Sequence, residues 1–572
     1  MYDIIIRGGT VIDGSGSAGV IADIAIADGR IAAIGTIAAD AHTVVDAADL
    51  IVTPGFVDPH THYDAQLFWD PAASPSNVHG VTSVIGGNCG FTIAPIRTRD
   101  ADYMRRLLAK VEGMALPALE TGVPWNWETF SEYLDQLDGN LGVNAGFLVG
   151  HCAIRRYVMG EESVGAVATA EQIQEMIALL GASIRAGGLG FSTTLSKTHT
   201  DGDGQPVPSR WANDEEVLAL CAAVKDHEGT TLEAIVDGCL DMFSDAEIEM
   251  LAQMSAAGQR PLNWNVLTVD STAPERIPRQ LEASSRALEI GGRVVALTMP
   301  VQVPMNMSFG SYCALFMIPG WQDVMNLEHD ERRKKLADPA TRTELEALSK
   351  ADSAGVFRRL GDWHNYVLGD VYAPANADLK GRKIGEIAAE RGNGAFDTLL
   401  DIVIEDDLRT VLWPIPSDGD PKSWELRSKL WLDDRAMVGG SDAGAHLDRM
   451  CGAPYTTRFI GDCIRGRKLL GLETAIKMLT DDPARLFGLR DRGRIEVGWH
   501  ADLCVLDPLT VGATHATLVA DLPGGAARLI AHAEGVRHVF VNGVETVRDN
   551  LATGALPGTV LRSGRDTETV LP

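Results

Sequence analysis

Eight short apolar segments separated by helical stretches most restrict the fold of this 572-residue chain. The segments lie at residues 56–58, 82–85, 143–149, 189–192, 230–236, 262–267, 293–298 and 436–439. Apolar residues recur at helical spacing over 170–186, 214–225, 245–256, 278–288 and 472–479. Strands that alternate with helices indicate an α/β fold with parallel strands, and eight such units favour a closed (β/α)8 barrel of the TIM type.

The two chain ends have a different pattern. Residues 1–55 and the last 80 residues contain short strand-like segments, one of them at 494–497, and the hairpin turns Asp28-Gly29 and Asn542-Gly543. We predict that both ends pair into one small β-sandwich domain. The predicted domains are therefore 1–54 and 486–572 for the sandwich and 55–485 for the barrel, with insertions near 98–141 and 319–383.

Composition excludes several classes of function. The chain has 78 acidic and 50 basic residues, a net charge of −28, which disfavours nucleic acid and anionic membranes as partners. Its eight cysteines include no CxxC pair, and we find neither a signal peptide nor an apolar run of 18 residues. These features predict a cytoplasmic protein that acts on a small molecule and binds neither nucleic acid nor membrane.

The segment PGFVDPHTHYD ends an apolar strand with His60-Thr61-His62. Residues i and i+2 of a strand point to the same side, so both imidazoles face one point at the carboxyl end of the strand, where barrel enzymes build their active sites. Two imidazoles in this position suit a divalent metal ion. The alternative is a pair of exposed loop histidines, which the preceding strand and the flanking acids Asp58 and Asp64 disfavour.

Two further strands end in groups that bind metals. Cys89 follows the strand of GVTSVIGGNCGF, and its thiolate is a zinc ligand or, alternatively, a small buried side chain. Asp442 follows the strand of MVGGSDAGAH. Its carboxylate binds a metal and accepts a proton from water, or it is a turn residue.

Four other residues are weaker candidates. His151 and Arg155 lie in GHCAIRR, and His199 and Arg210 lie in SKTHTDGDGQPVPSR. A loop arginine binds a substrate carboxylate through two hydrogen bonds, and a histidine stabilises an oxyanion. The tryptophans of the two insertions, such as Trp125 and Trp321, form either an apolar acyl pocket or packing contacts.

These motifs together resemble the amidohydrolase superfamily, and specifically its N-acyl-D-amino-acid deacylase, or D-aminoacylase, branch. The matching segments run in the expected order from residue 4 to residue 508: IIIRGGTVIDGSG, GRIAAIG, PGFVDPHTHYD, GVTSVIGGNCGF, GHCAIRRYVMG, GLGFSTTL, GGSDAGAH and DRGRIEVGWHADLCVLDP. The resemblance implies a (β/α)8 barrel with a β-sandwich made from both chain ends.

The resemblance also implies an activity, the hydrolysis of amide bonds with metal-activated water. His60 and His62 match metal ligands, Cys89 matches the cysteine that binds or approaches zinc, and Asp442 matches the catalytic acid and base. Arg210 or Arg155 is then expected to hold a substrate carboxylate, and His151 or His199 to stabilise the oxyanion. Superfamily members often self-associate, so a homo-oligomer is compatible with the resemblance.

The chain departs from the family pattern on the fifth and sixth strands. The family has a histidine after each, whereas here Glu233 and Asn265 lie near those positions, and the lysine of binuclear relatives is missing near GLGFST. We favour one ion per chain, zinc or another divalent metal, bound by His60, His62 and Asp442 with help from Cys89 or Glu233. The alternatives are a site in which Glu233 replaces a histidine, hydrolysis of cyclic amides, carbamates or lactones, and a non-catalytic binding protein on a decayed barrel.

Overall fold

A computed structural model describes residues 1–310, 313–414, 416 and 418–572 of the chain. They form two compact units, Met1–Val303 with Lys422–Pro572 and Pro304–Pro421. No helix in these ranges is long and apolar enough to cross a membrane.

Eight buried parallel strands form the centre of the first unit. They are β1 (Phe56–Asp58), β2 (Val81–Gly86), β3 (Asn144–Phe147 and Val149–Gly150), β4 (Gly190–Thr194), β5 (Thr231–Ile235), β6 (Pro261–Trp264), β7 (Arg293–Thr298) and β8 (Ala436–Val438). Each strand pairs in parallel with the next one in the chain. Beyond the ends of β1 and β8, a parallel bridge joins Thr61 to Ala443. The predicted α/β class is confirmed, because sheet strands buried on both faces give the continuous apolar segments seen in the sequence.

The helices of this unit include one at each of the five segments with predicted helical periodicity. Their bounds are Ala101–Val111, Leu116–Gly122, Phe130–Leu137, His151–Met159, Ala170–Arg185, Asp214–Val224, Asp245–Gly258, Arg276–Glu289, Pro421–Leu430, Tyr455–Arg458, Leu472–Leu479 and Asp481–Leu486. The side chains of Thr169, Asn213 and Ser244 accept backbone hydrogen bonds at three helix starts. These caps satisfy amide groups that a helix leaves unpaired, and they fix where those helices begin.

Strands from both chain ends lie in one nine-stranded sheet. Its members are Tyr2–Val11, Val20–Ala27, Arg30–Gly35, Ala41–Asp46, Ile51–Pro54, Leu503–Leu506, Val536–Val541, Val544–Arg548 and Leu551–Ala552. Leu503–Leu506 runs antiparallel to Ile51–Pro54 and joins the two ends. Shorter strands are Gly512–Ala513, Thr517–Val519, Arg528–Ile530, Ala533–Glu534 and Val560–Leu561.

One predicted strand of the C-terminal segment is wrong. Residues 494–497 form no strand in the described structure. Instead, the Ile495 amide donates to the carbonyl oxygen of Asp13, and the Arg494 side chain pairs with Asp481. These four residues alternate between apolar and polar side chains, yet they lie in a loop. Contacts with Asp13 and Asp481 take the place of a neighbouring strand.

The second unit is a small helical body with its own apolar core. Its helices are Gln322–Met325, His329–Ala337, Pro339–Lys350, Ile384–Arg391 and Ala395–Glu405, and Val367–Leu368 pairs antiparallel with Leu412–Trp413. Trp321 and Trp363 stack with ring centroids 5.8 Å apart inside that core. In the first unit, Trp127 stacks on Phe68 at 5.0 Å. These contacts favour packing over an acyl pocket for the tryptophans of the insertions.

Candidate metal centre

His60 and His62 follow the carboxyl end of β1, and both side chains are buried. The amide and hydroxyl of Thr61 between them donate to the carbonyl oxygen of Ile85 at the end of β2, which holds the segment extended. The two rings therefore point to the same side, with centroids 5.3 Å apart.

Cys89 reaches the same place from the end of β2. It lies in the turn Asn88–Gly90 with a left-handed backbone, φ 55°. Gly87 precedes the turn, and a Cβ there would lie 2.3 Å from the carbonyl oxygen of Leu148, so only glycine fits. The Asn88 side-chain amide donates to the carbonyl oxygen of Thr61 and ties the turn to the histidine segment. The result is a Cys89 Sγ that lies 3.6 Å from His60 Nε2.

Asp442 enters from the loop after β8, also with a left-handed backbone, φ 58°. Its Oδ1 lies 3.1 Å from His62 Nε2 and 3.7 Å from His60 Nε2. A Cβ on Gly444 would lie 2.5 Å from the carbonyl oxygen of His62, so a glycine here lets the two loops touch. A carboxylate oxygen thus lies between the two imidazole Nε2 atoms.

Glu233 and Asn265 lie beside this group, near the places where the family has histidines. Glu233 on β5 is completely buried, and its Oε2 accepts the Cys89 amide at 2.7 Å. Asn265 Nδ2 lies 3.2 Å from His60 Nε2 and 3.6 Å from Cys89 Sγ. The structure therefore brings five of the predicted site residues together: His60, His62, Cys89, Glu233 and Asp442.

Two further residues of the centre were missed from the sequence. Glu112 ends the helix Ala101–Val111 of the first insertion, and its Oε2 lies 3.6 Å from His62 Nε2. His446 Nε2 lies 3.7 Å from Asp442 Oδ2. The histidine four residues after Asp442 was a usable signal in the sequence, whereas nothing in the sequence around Glu112 indicates a site.

The pKa values of the two histidines are shifted in opposite directions. Burial, with the neighbouring charge of His62, lowers the pKa of His60 to about 3. Burial also disfavours the charged form of His62, but the carboxylates of Glu112 and Asp442 outweigh it and raise the pKa of His62 to about 10. The metal-free site therefore holds one neutral and one protonated imidazole at neutral pH.

The acidic groups of the centre are also perturbed. Burial raises the pKa of Glu233 to about 8 and that of Glu112 to about 7. Burial, followed by the charge of Glu233, raises the pKa of the Cys89 thiol well above its usual value. Burial opposes ionisation of Asp442 too, yet the adjacent, positively charged His62 imidazole holds the pKa of Asp442 below its usual range.

The donor set fits a divalent cation. His60, His62 and Cys89 form one group of ligand atoms within 4.8 Å of one another, and His62, Glu112 and Asp442 form another. Ligands about 2.0–2.3 Å from one ion lie roughly 3–4 Å apart. The distances from His60 Nε2 to Cys89 Sγ and Asp442 Oδ1, and from His62 Nε2 to Asp442 Oδ1 and Glu112 Oε2, are 3.1–3.7 Å. Among the described residues, buried His62 Nε2 and Glu233 Oε1 have no hydrogen-bond partner, which a bound cation explains.

His151 and Arg155 lie in a separate buried network. The ring nitrogens of His151 bond to Thr193 Oγ1 and Glu216 Oε1, both at 2.8 Å. The Arg155 guanidinium pairs with the other oxygen of Glu216, and all three side chains are completely buried. Both nitrogens of His151 and the charge of Arg155 are thus occupied within the protein.

Replacing Arg155 with methionine is therefore expected to destabilise the fold. Loss of one partner leaves the Glu216 charge buried with only His151 to balance it, which costs about 3–5 kcal/mol. Denaturant unfolding measures this loss, and Arg185→Met, on an exposed helix position, is the matched control. Metal content per folded chain should not change; a stable variant that has lost substrate affinity would instead make Arg155 a substrate ligand.

His199 and Arg210 lie in the loop after β4. His199 Nδ1 bonds to Thr194 Oγ1 at 2.8 Å, and burial lowers the pKa of His199 to about 3, with the charges of His446 and His62 acting in the same direction. The Arg210 guanidinium donates to the carbonyl oxygen of His199 at 2.9 Å and forms no ion pair with a described carboxylate. Among the described residues, the loop thus keeps a guanidinium without an ion pair, together with a neutral imidazole.

Comparison with known proteins is consistent with this geometry. A model of the amidohydrolase family matches residues 43–547. D-aminoacylase of Alcaligenes xylosoxydans xylosoxydans is 27% identical over 98% of this chain and 97% of its own length.

Two solved structures cover 98% of this chain and 100% of their own. One is a D-aminoacylase described for its binuclear metal centre, with activation by one metal and attenuation by the second (25% identity, TM-score 0.63). The other is N-acyl-D-glutamate deacylase of Bordetella bronchiseptica with zinc and a phosphonate that mimics the tetrahedral intermediate (24% identity, TM-score 0.64). The fold of this chain is similar to both.

Proposed function

Because the chain belongs to the amidohydrolase family, in its D-aminoacylase-like branch, we propose that it is a metal-dependent N-acyl-amino-acid deacylase of the D type. It is a hydrolase of carbon–nitrogen bonds other than peptide bonds. The observation that carries the proposal is the convergence of the buried His60 and His62 with Asp442, whose Oδ1 lies within 3.7 Å of both Nε2 atoms.

The proposed cofactor is one divalent ion per chain, zinc in the first instance. His60, His62 and Asp442 would hold it, with Cys89 and Glu233 on the adjoining side of His60. Zinc in the related N-acyl-D-glutamate deacylase supports the choice of ion. Three protein ligands leave a position open for catalysis, and such an ion supplies Lewis-acid polarisation of a carbonyl and lowers the pKa of water to about 7.

Asp442 is the proposed general base and general acid. Its Oδ1 faces the histidines and its Oδ2 faces His446 Nε2, so the carboxylate borders the metal position. Because its pKa is held below the usual range, the group is ionised at neutral pH and can accept a proton from water. The same proton then passes to the leaving nitrogen of the amide.

We place substrate recognition on the loop after β4. Arg210 keeps a cation without a carboxylate partner among the described residues, so it suits the carboxylate of an N-acyl amino acid. His199 is neutral and suits a hydrogen bond to the developing oxyanion. His151 and Arg155, the alternatives from the sequence, are less suitable because Glu216 binds both.

The wider architecture supports this assignment. We propose that β1–β8 close into a (β/α)8 barrel through the Thr61–Ala443 bridge, so that the metal centre lies at the carboxyl ends of the strands. The chain ends, 1–54 and 486–572, would form the accompanying β-sandwich. A cytoplasmic homo-oligomer that binds only small molecules completes the proposal.

Metal content and substrate range test the function together. Protein purified without chelators or a histidine tag is expected to contain about one ion per chain and to hydrolyse N-acyl-D-amino acids faster than their L forms. Faster turnover of cyclic amides, carbamates or lactones would reassign the substrate. Protein without metal that gains no activity on addition of zinc would contradict the proposal and favour a non-catalytic binding protein.

Metal binding is expected to strengthen as the pH rises. The pKa of His62 is raised to about 10, so below that pH the metal must displace a proton from this imidazole. One displaced proton makes the Kd fall about tenfold for each unit of pH between 6 and 8. Calorimetry in buffers of different ionisation enthalpy measures the released proton, and a Kd independent of pH would contradict a metal-bound His62.

A further inference from the structure

Glu112 brings a buried carboxylate to the metal centre from outside the eight-stranded core. Its side chain is 4% exposed, and Oε2 lies 3.6 Å from His62 Nε2. The neighbouring charges of His62 and Arg449 favour its ionised form, whereas burial opposes it. An ionised carboxylate in a buried position is costly unless cations compensate it.

The local structure holds Glu112 in this position. Tyr103, Met104 and Leu107 bury one side of the helix Ala101–Val111. Gly113 follows Glu112 with a left-handed backbone, φ 58°, which ends the helix there. The His446 amide then donates to the carbonyl oxygen of Glu112 and fixes this end of the insertion to the loop that carries Asp442.

Glu112 and Asp442 approach the same nitrogen. Asp442 Oδ1 lies 3.1 Å from His62 Nε2, and Glu112 Oε2 lies 3.6 Å from it, so the two oxygens and the nitrogen form a three-atom group within 4.8 Å. His62 Nε2 is buried and has no hydrogen-bond partner in the described structure. Both carboxylates therefore face the nitrogen that would bind the ion, and the three atoms are placed to share a cation.

We propose that Glu112 is a ligand of the metal ion and binds it jointly with His62 and Asp442. This inference rests on the proposed function, since it assigns a further ligand to the same ion. The fifth and sixth strands provide Glu233 and Asn265 in place of histidines, and the first insertion supplies an additional anionic oxygen. Metal binding then also orders the end of the helix Ala101–Val111.

The first test is the affinity of the metal-free protein for zinc, measured by competition with a chromophoric chelator. Glu112→Gln removes the charge while keeping the shape, and its Kd is expected to rise on the order of 100-fold, at the upper end of the range for lost outer-shell partners. Glu120→Gln, at an exposed position on the next helix of the insertion, is the matched control and should bind like the wild type. Equal Kd values for all three proteins would overturn the inference.

A spectroscopic test separates a ligand from a mere ion-pair partner of His62. Loaded with cobalt(II), Glu112→Gln is expected to shift the visible d–d bands of the bound ion relative to the wild type, because an anionic ligand is replaced, whereas loss of an ion-pair partner of His62 would leave the ligand set and the bands unchanged. Unchanged d–d bands would overturn the inference, even if Glu112→Gln weakens binding.

The two hypotheses fail in different ways. Wild-type protein that binds no divalent metal contradicts the proposed function itself. Wild-type protein that binds one ion, together with an unchanged Glu112→Gln, contradicts only the assignment of Glu112. Exchange of amide hydrogens over 101–113 gives a readout independent of catalysis, because zinc is expected to slow it in the wild type and much less in Glu112→Gln.

Discussion

His60→Ala is expected to lose the bound metal and the hydrolytic activity together. His60 Nε2 is surrounded by Asp442 Oδ1 at 3.7 Å, Cys89 Sγ at 3.6 Å and the Asn265 amide at 3.2 Å. Removal of the imidazole therefore takes away a ligand and leaves a cavity beside these three groups. The Kd for zinc should rise by more than about 100-fold, since loss of an outer-shell partner alone costs 10–100-fold.

Elemental analysis of the metal per chain and turnover of an N-acyl-D-amino acid measure this result side by side. His42→Ala is the matched control, because His42 is an exposed residue of the nine-stranded sheet. It should keep metal and activity. Stoichiometric metal with normal turnover in His60→Ala would remove His60 from the ligand set.

The sequence predicts the strand-end residues of the centre because their signal is local. His60 and His62 follow an apolar strand with the i, i+2 spacing that makes two side chains face the same side, and the glycines around Cys89 and Asp442 mark turns where loops approach closely. Most of the eight core strands lie within one or two residues of their predicted bounds for the same reason, since burial on both faces leaves a continuous apolar segment.

Other parts of the centre depend on contacts that no local pattern contains. In the sequence, Glu112 is one more acidic residue at the end of an amphipathic helix. Only the tertiary fold brings it close to His62, which lies 50 positions earlier in the chain. His151 and Arg155 have the residue types of a site, but Glu216, 65 and 61 positions away, occupies both. A sequence therefore shows which groups have suitable chemistry, and the partner that occupies a group becomes visible only in the structure.

Asp442→Asn is expected to separate metal binding from proton transfer. The asparagine keeps the size of the side chain and an oxygen near both His60 and His62, so about one ion per chain should remain. An amide cannot accept the proton of water or deliver it to the leaving nitrogen, and loss of general acid–base catalysis lowers kcat about 10²–10⁴-fold. KM should change much less, because Arg210 and the rest of the loop after β4 are untouched.

Steady-state kinetics on metal-loaded protein, with the metal measured in the same sample, test this expectation. Asp434→Asn, an exposed position just before β8, is the control for the loss of one negative charge near the same strand. The comparison with His60→Ala is decisive, because addition of excess zinc should raise the activity of His60→Ala and leave Asp442→Asn unchanged. A metal-loaded Asp442→Asn with near-normal kcat would exclude Asp442 as the proton carrier and transfer that role to another group at the centre, such as the Glu233 carboxylate beside Cys89.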